Sequence, residues 1–237
     1  MYSIKKQRNR PLYKRFLLLR KNLQDRDKLF KFKRKKWAKF KLSLLKVKKI
    51  RKKKFYDPTS YLLSNFASFF KKKFKYNLQN KQKLYLFYGK LRKNYLKRLV
   101  KSTRTEFKTL SVQATSLFIK KLETRLDTIL YRARFSYSFL NARQLILHKK
   151  VYVNSKIIQS NSYKLKKGDL ITFDKSVFEF VIFNILNSKT WPMPPKHLFI
   201  NYKTLQILVI ENVNYTNYLT YSSFWLDINS FLKFYER

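Results

Sequence analysis

Cysteine is absent from this chain of 237 residues, which excludes disulfides and thiolate metal sites. The only two histidines, His148 and His197, are widely separated in sequence and cannot form a zinc cluster, so no metal and no cofactor is expected. With only two glycines, Gly89 and Gly168, there is no glycine-rich phosphate loop, and no Ser/His/Asp grouping or acid-rich cleft can be picked out. An enzyme is therefore not expected. Long apolar runs are missing too. The stretch Val177–Leu186 is broken by Glu179 and falls well short of the ~20 residues that a bilayer helix needs.

Acidic residues are also scarce. Twelve Asp and Glu face 56 Lys and Arg, for a formal charge of +44 and a pI near 10.4. A folded chain of this charge repels itself and its own copies, so no homo-oligomer is expected and the working state requires a polyanion. Nucleic acid is the natural one, because each phosphate neutralised by Lys or Arg releases counterions. Hydrophobic residues make up 45% and aromatic ones 18%, enough for a core, so the chain is more than a basic tail. Usage leans towards Lys, Phe, Tyr, Asn, Ile and Leu and away from Gly, Pro and Ala, the pattern of an AT-rich genome such as an organelle's. The segment Met1–Arg20 is basic and acid-free but rich in Lys with one Ser, which suits an arm lying on RNA better than a transit peptide.

From Lys5 to Lys54, a lysine and arginine run is punctuated by apolar residues and the only acids are Asp25 and Asp27; a helix over Asp27–Lys48, ordered on RNA, is expected. Asp57-Pro58-Thr59-Ser60 reads as a break. Beyond it, Tyr61–Lys75 is amphipathic, and in Gln79–Leu99 the residues Leu84, Phe87, Tyr88, Leu91, Tyr95, Leu96 and Leu99 recur at helical spacing. Their aromatics are read mostly as core. Gly89 interrupts the second stretch and marks a helix end or a close backbone approach. Ser102–Ser116 reads as irregular, with a short helix over Thr109–Lys120.

The next part is the most informative. Glu123–Phe135 forms an amphipathic pattern with Leu126, Ile129, Leu130 and Ala133 on one face. Ser136-Tyr137-Ser138 offers N-cap hydroxyls to a second helix, Phe139–His148, whose Ala142, Leu145 and Ile146 point to the same core. Val151–Asn154 alternates as a half-buried strand, Asn154-Ser155 turns into Lys156-Ile157-Ile158, and Gly168 supplies a tight turn before the strand Asp169–Phe173.

This succession resembles the S4 RNA-binding domain and, beyond it, the small-subunit ribosomal proteins of the S4 family, in an organellar form. The resemblance rests on Arg125-Leu126-Asp127, Tyr131-Arg132 with Phe135, Ala142-Arg143-Gln144-Leu145 with His148, Val151–Asn154, Tyr163, and Lys166-Lys167-Gly168-Asp169. Outside the domain, Lys81-Gln82-Lys83-Leu84 with Phe87-Tyr88-Gly89 and the run from Trp191-Pro192 through Pro195–Leu198 to Asn201–Thr204 are similar to the family as well. Ser155, Arg134 and Phe139 depart from its pattern, and Asn154 should take the left-handed conformation. The resemblance implies an α+β fold in which a small S4-type domain of two helices on a short sheet is inserted into a helical body. The expected division is a basic rRNA-binding extension at 1–57, the first part of the body at 58–120, the domain at 121–183, and a segment at 184–237 that completes the body.

The family further implies a structural protein of a mitochondrial small ribosomal subunit, encoded in the organelle. It would bind small-subunit rRNA, support assembly and lie beside neighbouring small-subunit proteins near where mRNA enters, with the mRNA a further partner. The alternative is a factor or RNA chaperone that visits the ribosome and uses the same domain. Candidate RNA contacts are Arg132, Arg134, Arg143, Lys149, Lys150, Lys156, Lys164, Lys166 and Lys167, with Gln144 and His148 as hydrogen-bonding partners and Lys81, Lys83, Arg92 and Lys93 from the helical stretches. Tyr137 or Tyr152 would stack on an unpaired base. His148 serves either as such a ligand or as a helix-dipole partner, whereas Arg125 and Asp127 read as helix-start electrostatics and an internal ion pair.

Overall fold

A computed structural model describes residues 11–19, 23, 32–51, 69–109, 113–186, 194–211 and 226–235. The expected Pro58 break, the Trp191-Pro192 match and much of the basic extension lie outside these residues. The fold is α+β, as expected.

The helical body is built from Phe69–Phe87, Lys93–Thr109, Ala114–Glu123 and the late helix Ile228–Tyr235, which packs against all three of the others. Leu84, Phe87, Tyr88, Leu91, Leu96 and Leu99, picked out by their spacing, are all buried here, and Tyr95 packs at the edge. Phe118, Ile119, Leu122 and Phe231 close the cluster from the other helices, each fully buried side chain contributing ~1.5–3 kcal/mol of apolar transfer energy. The Lys93–Thr109 helix runs through part of the stretch read as irregular, because Leu99, Val100 and Thr103 keep a buried face.

The basic extension departs from expectation in where its apolar residues pack, not in forming a helix. Leu12–Leu19 and Lys35–Arg51 are helical, and Phe16, Leu19, Leu23 and Trp37 sit in the body's own core, with Trp37 ringed by Phe16, Phe32 and Phe40. These aromatic and aliphatic side chains bury against protein, so this part of the segment does not depend on RNA alone for order.

Gly89 meets both readings offered for it. The helix ends at Phe87, and Gly89 and Lys90 turn with φ of 64° and 62°. The Lys90 N–H donates to the Tyr85 carbonyl at 2.7 Å. A Cβ on Gly89 would lie 2.7 Å from the Cβ of Phe139, in the neighbouring unit.

That unit begins where Thr124 ends the Ala114–Glu123 helix; the helix expected over Glu123–Phe135 is shorter, Leu126–Arg132. Its start is fixed by a small ladder, with Leu126 N donating to Tyr163 O and Leu165 N to Thr124 O, both at 2.9 Å. Ser138 caps the Phe139–Leu147 helix by accepting from Asn141 N at 3.2 Å. Strands β1 (Val151–Val153), β2 (Lys156–Ile157), β3 (Leu170–Phe173), β4 (Leu198–Asn201) and β5 (Gln206–Val209) form an antiparallel sheet in the order β2-β1-β3-β5-β4. In the β1–β2 turn both Asn154 (φ 50°) and Ser155 (φ 65°) are left-handed, as a type I′ turn requires, so the strain falls on two residues where one was expected. One face of the sheet buries Val151, Val153, Ile171, Phe173, Ile207 and Val209 against Leu126, Ile129, Leu130, Ala142 and Ile146.

The sheet does not stop at the expected boundary of Phe183. After the helix Phe178–Leu186, β4 and β5 extend it, and Leu198, Leu205, Ile207 and Val209 belong to its core rather than to the body's. Residues 198–201 and 206–209 alternate inward and outward as strands do, and Asn201 Oδ1 accepts from Lys203 N and Thr204 N to shape the turn between them. Of the segment 184–237, the described part that joins the body is 226–235.

Candidate nucleic-acid interface

In so basic a chain the carboxylates determine which cations face inward. Glu123 is fully buried. It accepts from Arg132 Nη2 at 2.8 Å and Nε at 3.0 Å, and from the Tyr88 hydroxyl at 2.6 Å. Burial pushes the Glu123 carboxyl up, but the charge and hydrogen bonds of Arg132, the Tyr88 hydroxyl and the field of His197 outweigh it and hold the group below its ordinary value. Asp127, also fully buried, accepts from Arg125 Nε and Nη2 at 2.9 Å and from Arg143 Nε at 2.7 Å. The internal pair expected for Arg125 and Asp127 is thus present, and Arg125 also lies 4.8 Å from the Tyr95 ring centre. Burial opposes the charge on Arg125, yet Asp127 raises its affinity for the proton.

Four of the expected RNA contacts are engaged within the protein. Arg132 is buried on Glu123. Arg143 donates to Asp127 and, through Nη1 and Nη2, to the carbonyls of Gly89 at 2.5 Å and Tyr88 at 2.6 Å. Its guanidinium is a clamp between the body and the S4-type unit, beside the stacked rings of Tyr131 and Phe139. Lys83 is buried and donates to Asn80 Oδ1 at 3.3 Å. Lys150 donates to Asp174 Oδ2 at 2.7 Å and Ser176 Oγ at 2.8 Å, and hydrogen bonds from Lys150 and then Ser176 hold the Asp174 carboxyl below its usual range.

The other candidates are differently placed. Gln144, His148, Lys149, Lys156, Lys164, Lys166, Lys167, Arg92 and Lys93 are exposed. Lys149 and His148 stand at the exit of the Phe139–Leu147 helix, with Lys149 left-handed at φ 60°. Lys164, Lys166 and Lys167 sit on the loop leading to β3, where Asp169 accepts from Lys166 N at 2.7 Å and from Asn154 Nδ2 at 2.9 Å and so ties the two turns together. Arg134 is half-buried and left-handed at φ 67°. Lys81 is half-buried beside the rings of Phe234 and Tyr235, and burial, together with the nearby Lys93, lowers its proton affinity. Tyr137 is exposed and Tyr152 half-exposed.

A second cationic surface continues from Arg92 and Lys93, the contacts expected on this helical stretch. On the Lys93–Thr109 helix, Lys93, Lys97, Lys101, Arg104 and Lys108 follow one another at spacings of three or four and are all exposed, with Arg98 alongside. Residues so spaced share one helix face. Like charges there destabilise the helix unless a counter-charge lies against them. The spacing was visible in the sequence, but the helix was expected to end earlier.

Residues 124–171 match the S4 domain family. The chain is similar to "Small ribosomal subunit protein uS4m" of Marchantia polymorpha, 36% identical over 141 residues that cover 58% of this chain and 68% of that protein. It is 32% identical to the uS4m protein of Reclinomonas americana over 185 residues, 71% of this chain and 68% of the relative. With the uS4c protein of Orobanche minor it shares 33% identity over 181 residues, 74% of the chain and 83% of the relative.

Proposed function

The chain belongs to the uS4 family of organellar-type small ribosomal subunit proteins, and from that premise we propose that it binds small-subunit rRNA as a structural constituent of a mitochondrial small subunit. It carries out no chemistry of its own. It supports assembly by holding RNA against two units in fixed relation, a helical body with its basic extension and the S4-type unit, and it lies beside neighbouring small-subunit proteins near where mRNA enters. The Lys-, Asn- and Phe-rich usage and the uS4m and uS4c relatives support an organelle, and the mitochondrion is our reading within that class.

The observation that carries this reading is the sorting of charge. Glu123 and Asp127 hold Arg125, Arg132 and Arg143 inside, while the exposed cations gather at the Phe139–Leu147 helix exit, on the loop before β3 and along the Lys93–Thr109 helix. Structured RNA is read largely through backbone and shape, which point charges on rigid elements suit. The RNA-contact set is accordingly Lys149, Lys156, Lys164, Lys166, Lys167, Arg92 and Lys93, with Gln144 and His148, extended by Lys97, Lys101, Arg104 and Lys108.

Two measurements test it. Lys97, Lys101 and Lys108 replaced together by Ala should flatten the salt dependence of rRNA-fragment binding by up to ~2.7 in log-log slope, at ~0.9 per phosphate contact on the duplex scale. An unchanged slope removes the helix face from the interface. Sedimentation should show the chain co-migrating one-to-one with small subunits through a moderate-salt wash; release into the free pool points to a visiting factor instead.

A further inference from the structure

The Lys93–Thr109 helix carries two rows of side chains that run next to each other. Leu96, Leu99, Val100 and Thr103 face the body and are buried. Lys93, Lys97, Lys101, Arg104 and Lys108 are exposed and fall within an arc of about 80° at 3.6 residues per turn, so the second row is a straight cationic line about 22 Å long. The one acid of the helix is turned out of that line. Glu106 holds Lys121 at 2.7 Å, and Lys121 also donates to Ser102 Oγ at 2.9 Å.

Phe107 lies beside this line at the end of the helix. It follows Thr103 by four residues and so continues the buried row one turn past the core, where it is 50% exposed. Arg104 stands one turn before it on the cationic side, and Lys108 comes next in the chain. Single exposed apolar residues are ordinary on a protein surface. What distinguishes this one is its surroundings, since Phe180 and Phe183, also exposed, sit on a helix with no Lys or Arg. An aromatic ring beside a line of cations is the arrangement of a nucleic-acid stacking platform, in which the cations track the backbone and the ring takes the flat face of a base. Bases within a duplex stack on one another and offer only their edges, so the ring can receive only an unpaired base.

We propose that one rRNA strand runs along the line from Lys93 to Lys108 and that Phe107 stacks on an unpaired base where that strand leaves its duplex, at a junction or a bulge. Successive cations on a helix face are about 5–6 Å apart, close to the separation of neighbouring phosphates along a strand. The line therefore fits a regularly spaced polyanion, which a nucleic-acid strand is and an acidic peptide is not. The proposal rests on the rRNA-binding reading above and deepens it, giving this helix face a ligand class, a phosphate strand with one splayed base, and the residue that recognises the base.

The test measures binding of the full chain to small-subunit rRNA transcribed in vitro. Phe107→Ala should weaken binding about 5- to 150-fold, the effect of losing one base stack, with the salt slope unchanged because no phosphate contact is removed. Phe107→Leu keeps apolar bulk at the edge of the core but has no ring, and should weaken binding to a similar degree, whereas Phe107→Trp should bind like wild type. If Phe107→Ala folds poorly, the Leu and Trp variants carry the comparison. Photoreactive azido-phenylalanine at position 107 should crosslink to an rRNA nucleotide that is reactive to 2′-hydroxyl acylation in the free RNA, as unpaired nucleotides are. Full affinity in Phe107→Ala or Phe107→Leu, a crosslink to a paired nucleotide, or in assembled small subunits a crosslink to a protein overturns the stacking site and leaves the cationic line standing. A wild-type chain that fails to bind the transcript removes the rRNA-binding reading, and the stacking site with it.

Discussion

Replacing Asp127 by Asn should loosen the joint between the helical body and the S4-type unit while leaving every apolar contact in place. The side chain is fully buried and accepts three hydrogen bonds from guanidiniums, two from Arg125 at 2.9 Å and one from Arg143 at 2.7 Å, beside a longer one from the Thr128 hydroxyl at 3.4 Å. The amide keeps the shape but has one acceptor oxygen and no charge, so two enclosed guanidiniums lose their counter-ion. Removing one partner of a buried ion pair costs ~3–5 kcal/mol. Arg143→Ala should cost less, about 2–3 kcal/mol, since Asp127 keeps its fork with Arg125 and what is lost is a set of charge-assisted hydrogen bonds. The assay is amide hydrogen exchange in the Phe139–Leu147 helix of the full chain, where ~1.4 kcal/mol is a tenfold change in opening. Asp127→Asn should speed exchange by roughly two to three and a half orders of magnitude, and Arg143→Ala by about one and a half to two. Exchange in Asp127→Asn within about threefold of wild type, less than 1 kcal/mol, would refute the claim that this carboxylate holds the joint.

Gly89→Ala should destabilise by about 2–4 kcal/mol, combining a left-handed φ with overpacking against Phe139, whereas Gly168→Ala, at φ 91° with no atom within 4 Å, should cost only ~1 kcal/mol; urea denaturation compares them. Ser155→Gly should stabilise by about 1 kcal/mol in the same assay by relieving the second left-handed position of the β1–β2 turn. Glu123 is held below its ordinary value of 4.5, so its contribution is fully present above pH 4.5 and is lost as pH falls below that value through the folded one; Glu123→Gln should flatten the acid limb of the stability profile. His197 is pushed below 6.5 first by burial, so the unfolded chain takes up the proton more readily and stability falls as pH drops beneath 6.5; His197→Gln should remove that slope in thermal melts across the range.

Local pattern disclosed much of this molecule. Ala142, Leu145 and Ile146 on one helix, and Leu126, Ile129 and Leu130 on the other, were readable from helical spacing, and all are buried together. Gly89 was identifiable because so few glycines are used. What escaped reading was the pairing of charges across distance. Nothing in the sequence around Arg132 or Arg143 distinguishes them from Lys149 or Lys167, because their carboxylates lie nine and sixteen residues away and become neighbours only once the helices pack. The β4–β5 hairpin was missed for a related reason. The partner strands are short, and Leu198–Asn201 carries three apolar residues of which Leu198 and Ile200 face inward and Phe199 outward, so only the sheet edge offered by β3 makes the pattern useful.

The fork that Arg143 places on two carbonyls just past the end of a body helix has a mechanical consequence. A hinge of flexible residues would let the two lobes swing, but here the pivot is a planar cation gripping two fixed oxygens from one side and a carboxylate from the other. Two RNA helices seated on separate lobes would meet at an angle set by the protein, much as a splint sets a bone.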